Sequence, residues 1–187
     1  MSRIGKKPIV VPKNVTVHVA DGFVSIKGPK GEEKVVLHPH VQVVATEGEL
    51  NVNVSHPDDK QDRALWGLFR ALLANQVEGV VNGFEKKLEM QGVGFKANIQ
   101  GKNLVLEVGF SHSVTMEFPA GIEAAVEKNI ITIKGINKQV VGEFAASVRA
   151  KKKPEPYQGK GIRYVGEVVR KKAGKAAKAA GAAGGAK

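Results

Sequence analysis

Between positions 151 and 163 the chain carries Lys151, Lys152, Lys153, Lys160 and Arg163 around one aromatic residue, Tyr157. Ammonium and guanidinium groups are the side chains that bind phosphate oxygens. A phenol ring beside them can stack on an unpaired base, and can equally pack over a sheet edge; the spacing leaves both open. Gly159 and Gly161 flank Lys160, so no side chain blocks the approach of a nucleic-acid backbone. Pro154 and Pro156 stiffen the segment, which lowers the entropy lost on binding. Gln158 adds a polar side chain next to the ring. Arg170, Lys171, Lys172, Lys175 and Lys178 continue the track, and Arg3, Lys6 and Lys7 form a smaller group near the other end. The chemistry that suits this pattern is polyanion binding; the bland alternative is a solvated basic tail.

The placement of charge is more informative than its total, which is +11 over 187 residues. Up to Lys13 there are four bases and no acid. From Asn14 to Val148 there are 13 Lys and Arg against 16 Asp and Glu, a net −3. From Arg149 onward 12 bases face only Glu155 and Glu167, a net +10. The middle is ordinary and the excess sits at the ends, as expected for a partner that is nucleic acid or an anionic membrane. A membrane surface would call for an amphipathic basic helix with exposed aromatics, and none is visible. No stretch approaches the roughly 20 apolar residues that cross a bilayer. No signal-peptide pattern follows the basic start, so a soluble cytoplasmic protein is expected.

Other chemistry finds little support. The absence of cysteine excludes a disulfide, a thiolate nucleophile and a Cys-based zinc site. His38 and His40 flank Pro39 and can share one side of a strand, but no third ligand converges on them. Gln91-Gly92-Val93-Gly94-Phe95 contains Gly-x-Gly, yet alternating Phe95, Ala97 and Ile99 follow it instead of a helix. A dinucleotide site needs that helix N-terminus, so these glycines are read as a bulge or a close backbone approach. No catalytic constellation, cofactor site or small-molecule substrate site is expected.

The elements that must position the basic residues are legible from periodicity. Val15, Val17 and Val19, then Val24 and Ile26, then Leu50, Val52 and Val54 alternate with polar residues, as half-buried antiparallel strands do. Asp21-Gly22 and Gly28-Pro29-Lys30-Gly31 read as tight turns. A helix follows, with Asp58 as its cap and Gln61 completing a capping box. Its expected apolar stripe is Leu65, Leu68, Phe69, Leu72, Leu73 and Val77, with Trp66 at the edge as core and Gly79 as the stop.

The second half repeats the plan. Leu104, Leu106 and Val108 alternate, as do Val114, Met116 and Phe118, and Ile130, Ile131 and Ile133 form another run. Asn137-Lys138-Gln139 opens a second helix whose apolar face is Val140, Val141, Phe144, Ala145 and Val148. Lys60-Gln61 and Lys138-Gln139, Gly28 and Gly109, and Pro39 and Pro119 recur at offsets of 78, 81 and 80. Near-constant offsets imply an internal duplication. The expected fold class is α+β, with two similar domains, each a mostly antiparallel sheet packed with one helix. Their expected bounds are 1–81 and 82–172, joined near 79–83, with 173–187 a disordered tail of Ala, Gly and Lys. Ile162, Tyr164 and Val168 suggest a short strand returning to the second sheet.

Ser2-Arg3-Ile4-Gly5-Lys6, the turn Gly28-Pro29-Lys30-Gly31, Gln91-Gly92-Val93-Gly94-Phe95, Gly135-Ile136-Asn137-Lys138-Gln139 and, most specifically, Pro154-Glu155-Pro156-Tyr157-Gln158-Gly159-Lys160-Gly161-Ile162 together resemble the bacterial large-subunit ribosomal protein L6 family along nearly the whole chain. Gln158 stands where that pattern usually has lysine, which puts the role of that one side chain in doubt. The segment beyond Ala173 lies outside the shared pattern. The resemblance implies two duplicated α+β domains and a structural role in binding large-subunit rRNA. It also implies neighbouring large-subunit proteins, including the stalk base, and a place near the translation-factor site. The alternative reading is a free-standing RNA chaperone or DNA-compacting protein that binds through its Ala/Gly/Lys tail.

Overall fold

The computed structural model describes residues 2–46 and 48–172. The chain forms two compact units, Met1–Phe84 with Lys134–Val141, and Glu85–Ile133 with Gly142–Lys187. The expected tail at 173–187 lies outside the described residues.

The first unit opens with β1 (Ile9–Val10), β2 (Thr16–Ala20), β3 (Phe23–Gly28) and β4 (Gly31–Val36). β5 (Val41–Thr46), β6 (Glu49–Val54) and helix α1 (Lys60–Val81) follow. β2, β3 and β4 form one antiparallel sheet, and β1, β6 and β5 another, in those orders. Period-two alternation puts Val24 and Ile26, and Leu50 and Val52, on buried faces that meet Phe69, Leu73, Val77 and Val80 of α1.

Helix α1 departs from the sequence expectation in three ways. Its cap is Asp59, not Asp58: the Asp59 carboxylate accepts from the backbone N–H of Gln61 and Asp62. Its buried stripe is Asp62, Trp66, Phe69, Leu73, Val77 and Val80, so Trp66 is core at 7% exposure while Leu68 is exposed at 51%. The indole N–H donates to the Val52 carbonyl at 2.6 Å, which orients the helix on β6. The helix also runs past Gly79 to Val81, with Asn82 as C-cap and Gly83 at φ 72. Gly79 is needed inside it because a Cβ there would fall 2.2 Å from the Ile136 carbonyl oxygen.

The second copy of the repeat follows the same order with β7 (Phe84–Gln91), β8 (Lys96–Gln100), β9 (Asn103–Glu107) and β10 (Val114–Glu117). β11 (Ile122–Glu127), β12 (Ile130–Gly135), α2 (Lys138–Lys151) and a final strand β13 (Gly161–Tyr164) complete it. The sheets run β10-β9-β8 and β11-β12-β7-β13. Asn137 caps α2 by accepting from the N–H of Gln139 and Val140. Each copy even repeats one linking bond: Val11 N–H donates to the Gly48 carbonyl, and Met90 N–H to that of Asn129, both at 2.8 Å. The fold is α+β and duplicated.

Two further expectations need correcting. Residues 92–95 are a turn between β7 and β8, so the bulge fails but a close approach to the Gly92 backbone holds: Phe95 N–H donates to the Gly92 carbonyl and the Phe95 ring fills the space of a Gly92 side chain. β13 stops at Tyr164, and Val168 stays 90% exposed, because Gly166 at φ 85 turns the chain away from the sheet.

Candidate nucleic-acid interface

Helix α2 ends with Arg149 and Lys151 in its last turn, where cations complement the negative end of the helix dipole. Pro154 prevents continuation, since it restricts the residue before it to extended backbone. The chain then folds into a closed loop. Ile162 N–H donates to the Lys152 carbonyl at 2.8 Å, and Glu155 N–H to that of Lys160 at 3.0 Å. Tyr157 and Gln158 lie at the tip, both exposed.

The two glycines have different jobs. Gly159 at φ +78 faces open space and supplies only backbone freedom. A Cβ on Gly161, at φ +145, would sit 2.6 Å from Pro154 Cα and 2.7 Å from the Lys153 carbonyl oxygen. Gly161 is therefore what lets the two arms of the loop touch. From there β13 pairs with β7, Gly161 opposite Gln91 and Tyr164 opposite Leu88, and fully buried Ile162 anchors it.

The basic residues divide by partner. Arg163 reaches Glu89 with Nη2–Oε2 at 3.1 Å, and Glu89 also accepts from the Gln91 amide. The Glu89 carboxyl is held below its ordinary value, first by Gln91 and then by Arg163. Arg149 grips Glu167 with both Nε and Nη2, at 3.0 and 2.5 Å, while the Tyr164 N–H donates to the same carboxylate. That contact lowers the Glu167 pKa and raises that of Arg149. Lys151, Lys153, Lys160, Arg170, Lys171 and Lys172 are exposed, and Lys152 is half-buried. Lys172 N–H donates to the Pro156 carbonyl at 2.8 Å, so the segment after β13 lies against the loop. The structure thus brings together the sequence-nominated residues from Lys151 to Lys172. Arg3, Lys6 and Lys7 are exposed in the other unit, and Lys175 lies outside the described residues.

Sequence reasoning passed over the neighbours of this loop. Lys152 Nζ lies 4.7 Å from the centroid of the Phe110 ring, and that ring stacks on His112 at 5.9 Å and 15°. Val93, Phe95, Val108 and Gly109 join Lys152, Lys153 and Lys160 around an open depression of about 520 Å³. The available signal was length: residues 108–113 separate β9 from β10, where the first copy needs only Pro29 and Lys30.

Of the two histidines flanking Pro39, His40 joins His56 at a buried carboxylate. His40 Nδ1 lies 2.9 Å and His56 Nδ1 3.4 Å from the carboxylate of buried Asp62, which also accepts the His56 N–H. Among the described residues no group of three or more His, Cys, Asp or Glu is arranged to hold a metal.

The family model described as ribosomal protein L6 matches twice, over residues 11–83 and 91–165. The chain belongs to the ribosomal protein L6 family. Three L6-family relatives, each called large ribosomal subunit protein uL6, agree closely with it. That of Maridesulfovibrio salexigens is 54% identical over 94% of this chain and 99% of its own length. Those of Gloeothece citriformis and Syntrophomonas wolfei are 55% and 56% identical, each over 94% of this chain and 98% of their own. The double match falls on the two structural repeats, so duplication is visible in family sequence and in fold alike. No described helix is long and apolar enough to cross a membrane.

Proposed function

We propose that this L6-family chain is a structural component of the large ribosomal subunit, working in the cytoplasm, that grips large-subunit rRNA through the closed loop 151–163. The observation that carries this reading is the preformed loop, which projects lysines from a folded unit while Arg163 and the flanking Arg149 are tied to Glu89 and Glu167. A polyanion meeting Lys151, Lys152, Lys153 and Lys160 has little loop entropy left to remove. Tyr157, Gln158, Gly159, Gly161 and Arg163 shape the contact, and Arg170, Lys171, Lys172 and Lys175 extend it. Arg3, Lys6 and Lys7 supply a smaller contact from the first copy. The copies divide at 81–82, a seam supported by the double family match, with 173–187 as an electrostatic supplement. The partners are rRNA and neighbouring subunit proteins, with the site near the stalk base and the translation-factor site.

The test is binding to protein-free large-subunit rRNA across a salt series. Six to ten phosphate contacts make affinity fall roughly a thousand- to hundred-thousand-fold between 50 and 200 mM salt. Replacing Lys151, Lys152, Lys153 and Lys160 together with glutamine should flatten the log–log slope by about 3 to 4. An unchanged slope refutes the loop as the grip. Deleting 173–187 should leave most of the affinity in place; near-total loss favours the tail-driven alternative.

A further inference from the structure

We infer that Phe110 and His112 form a stacking platform for an unpaired RNA base beside the lysine loop. The inference rests on the rRNA-binding reading and deepens it: the lysines hold phosphate, and the platform holds a base.

Three observations lead there. The β9–β10 connection, 108–113, is longer than the turn at the matching place in the first copy, and it spends the extra length on exposed groups. Phe110 is 44% exposed although Phe95, which packs under the same depression, is partly buried. Second, the two rings are already near-parallel, 15° apart with centroids at 5.9 Å, so a third flat ring extends an existing stack without reorganising it. Third, the Lys152 ammonium lies 4.7 Å from the Phe110 centroid. An ammonium beside exposed rings is placed to meet the phosphate of a nucleotide whose base stacks on them. Lys152, Lys153 and Lys160 outnumber the one acid, Glu155, around the adjoining depression, so its net positive lining suits the flanking phosphates.

Double-stranded RNA offers no base face to such a site, so the ligand is a nucleotide in a loop, bulge or junction. Stacking carries no net charge, so its loss should not change the salt slope, whereas loss of a lysine contact must.

The experiment measures binding of the full chain to protein-free large-subunit rRNA at low and moderate salt, comparing F110L, F110Y and a Lys153→Gln/Lys160→Gln double variant. F110L should bind about five- to 150-fold more weakly at both salt concentrations with an unchanged slope, and F110Y should stay near wild type. The lysine variant should flatten the slope. Wild-type binding by F110L alongside a flattened lysine slope overturns the platform and leaves the rRNA-binding reading standing. Equal losses for F110L and F110Y also overturn it, because the ring would then act only by shape. An unaffected lysine variant overturns the underlying reading, and the platform with it.

Discussion

The two copies of the repeat share a strand order and one buried helix position, but differ in the rest of the helix face they bury and in where the chain leaves the core. Trp66 and Phe144 occupy the same place, six residues after the first residue of each helix, and both are buried. Gly28 and Gly31 close a tight turn in the first copy, against Val80 and Ile136. The second copy opens that turn into the Phe110–His112 loop. Helix α1 runs 22 residues and stops at a C-cap, whereas α2 runs 14 and delivers the chain to the lysine loop and an added strand. One framework is thus used as a scaffold in the first copy and as a mount in the second. Most of the exposed basic residues named above follow α2, with a smaller group, Arg3, Lys6 and Lys7, at the start of the first copy.

The sharpest way to break the comparison is to remove the first copy's anchor. Trp66→Ala deletes a buried indole and its bond to Val52, and should cost about 3–5 kcal/mol. Urea unfolding of the variant should show the loss. Rings in equivalent places predict a similar cost for Phe144→Ala, which also loses an edge contact to Phe118 at 5.6 Å. A negligible effect of either would mean that the two helices do not share a role.

A smaller change separates the two loop glycines. Gly161→Ala forces a methyl group into the Pro154 backbone and should destabilise by about 1–3 kcal/mol while spoiling loop closure. RNA affinity should then drop by more than about tenfold, the equivalent of 1.4 kcal/mol. Gly159→Ala meets no atom and carries only the left-handed backbone cost of about 1–2 kcal/mol. Parallel melting and binding curves rank the two; a Gly159 variant worse than the Gly161 variant contradicts the packing argument.

Period and composition made β2, β3, β6, β9, β10 and β12, the neighbourhood of both helix starts and the duplication readable, because each is written within a few residues, but not β1, β5, β7 or β11. What they left out depends on distant contacts. The phase of α1 shifted toward Trp66 because the Val52 carbonyl, on another element, accepts from the indole. Gly79 looked like a stop but is a point of contact with Ile136. Arg163 looked like a phosphate ligand, yet its nearest carboxylate, Glu89, is 74 positions away. Phe110 carried no basic neighbour in sequence; Lys152 reaches it only after the second copy has folded.

Glu167→Gln gives a gentler test with an unusual sign. Removing a negative charge beside a polyanion site ordinarily strengthens binding. Here Glu167 holds Arg149 and the Tyr164 N–H, and so aims the segment that carries Arg170 to Lys172 along the loop. Losing a charge-assisted hydrogen bond of ~1.5 kcal/mol should weaken RNA binding roughly tenfold despite the added positive charge. Tighter binding by the variant would show that the ion pair plays no positioning role.

The smallest effect lies in the first copy and depends on pH. Asp62 is buried, and its carboxyl is held below the ordinary value of 3.8, chiefly by the hydrogen bond with His40 and then by the His56 N–H. The matching position of α2 is Val140, which does not titrate. A carboxyl with a lowered folded pKa adds stability that is fully present above its ordinary value and fades as pH falls through the lowered one. Wild-type stability should therefore fall below about pH 4, the ordinary aspartate range. Asp62→Asn should start less stable at neutral pH and lose less on acidification, since its amide cannot take up the proton. Thermal melts between neutral pH and acid measure the difference. Parallel acid limbs for wild type and variant would place the acid sensitivity elsewhere, in carboxylates such as Glu32, Glu89 and Glu167.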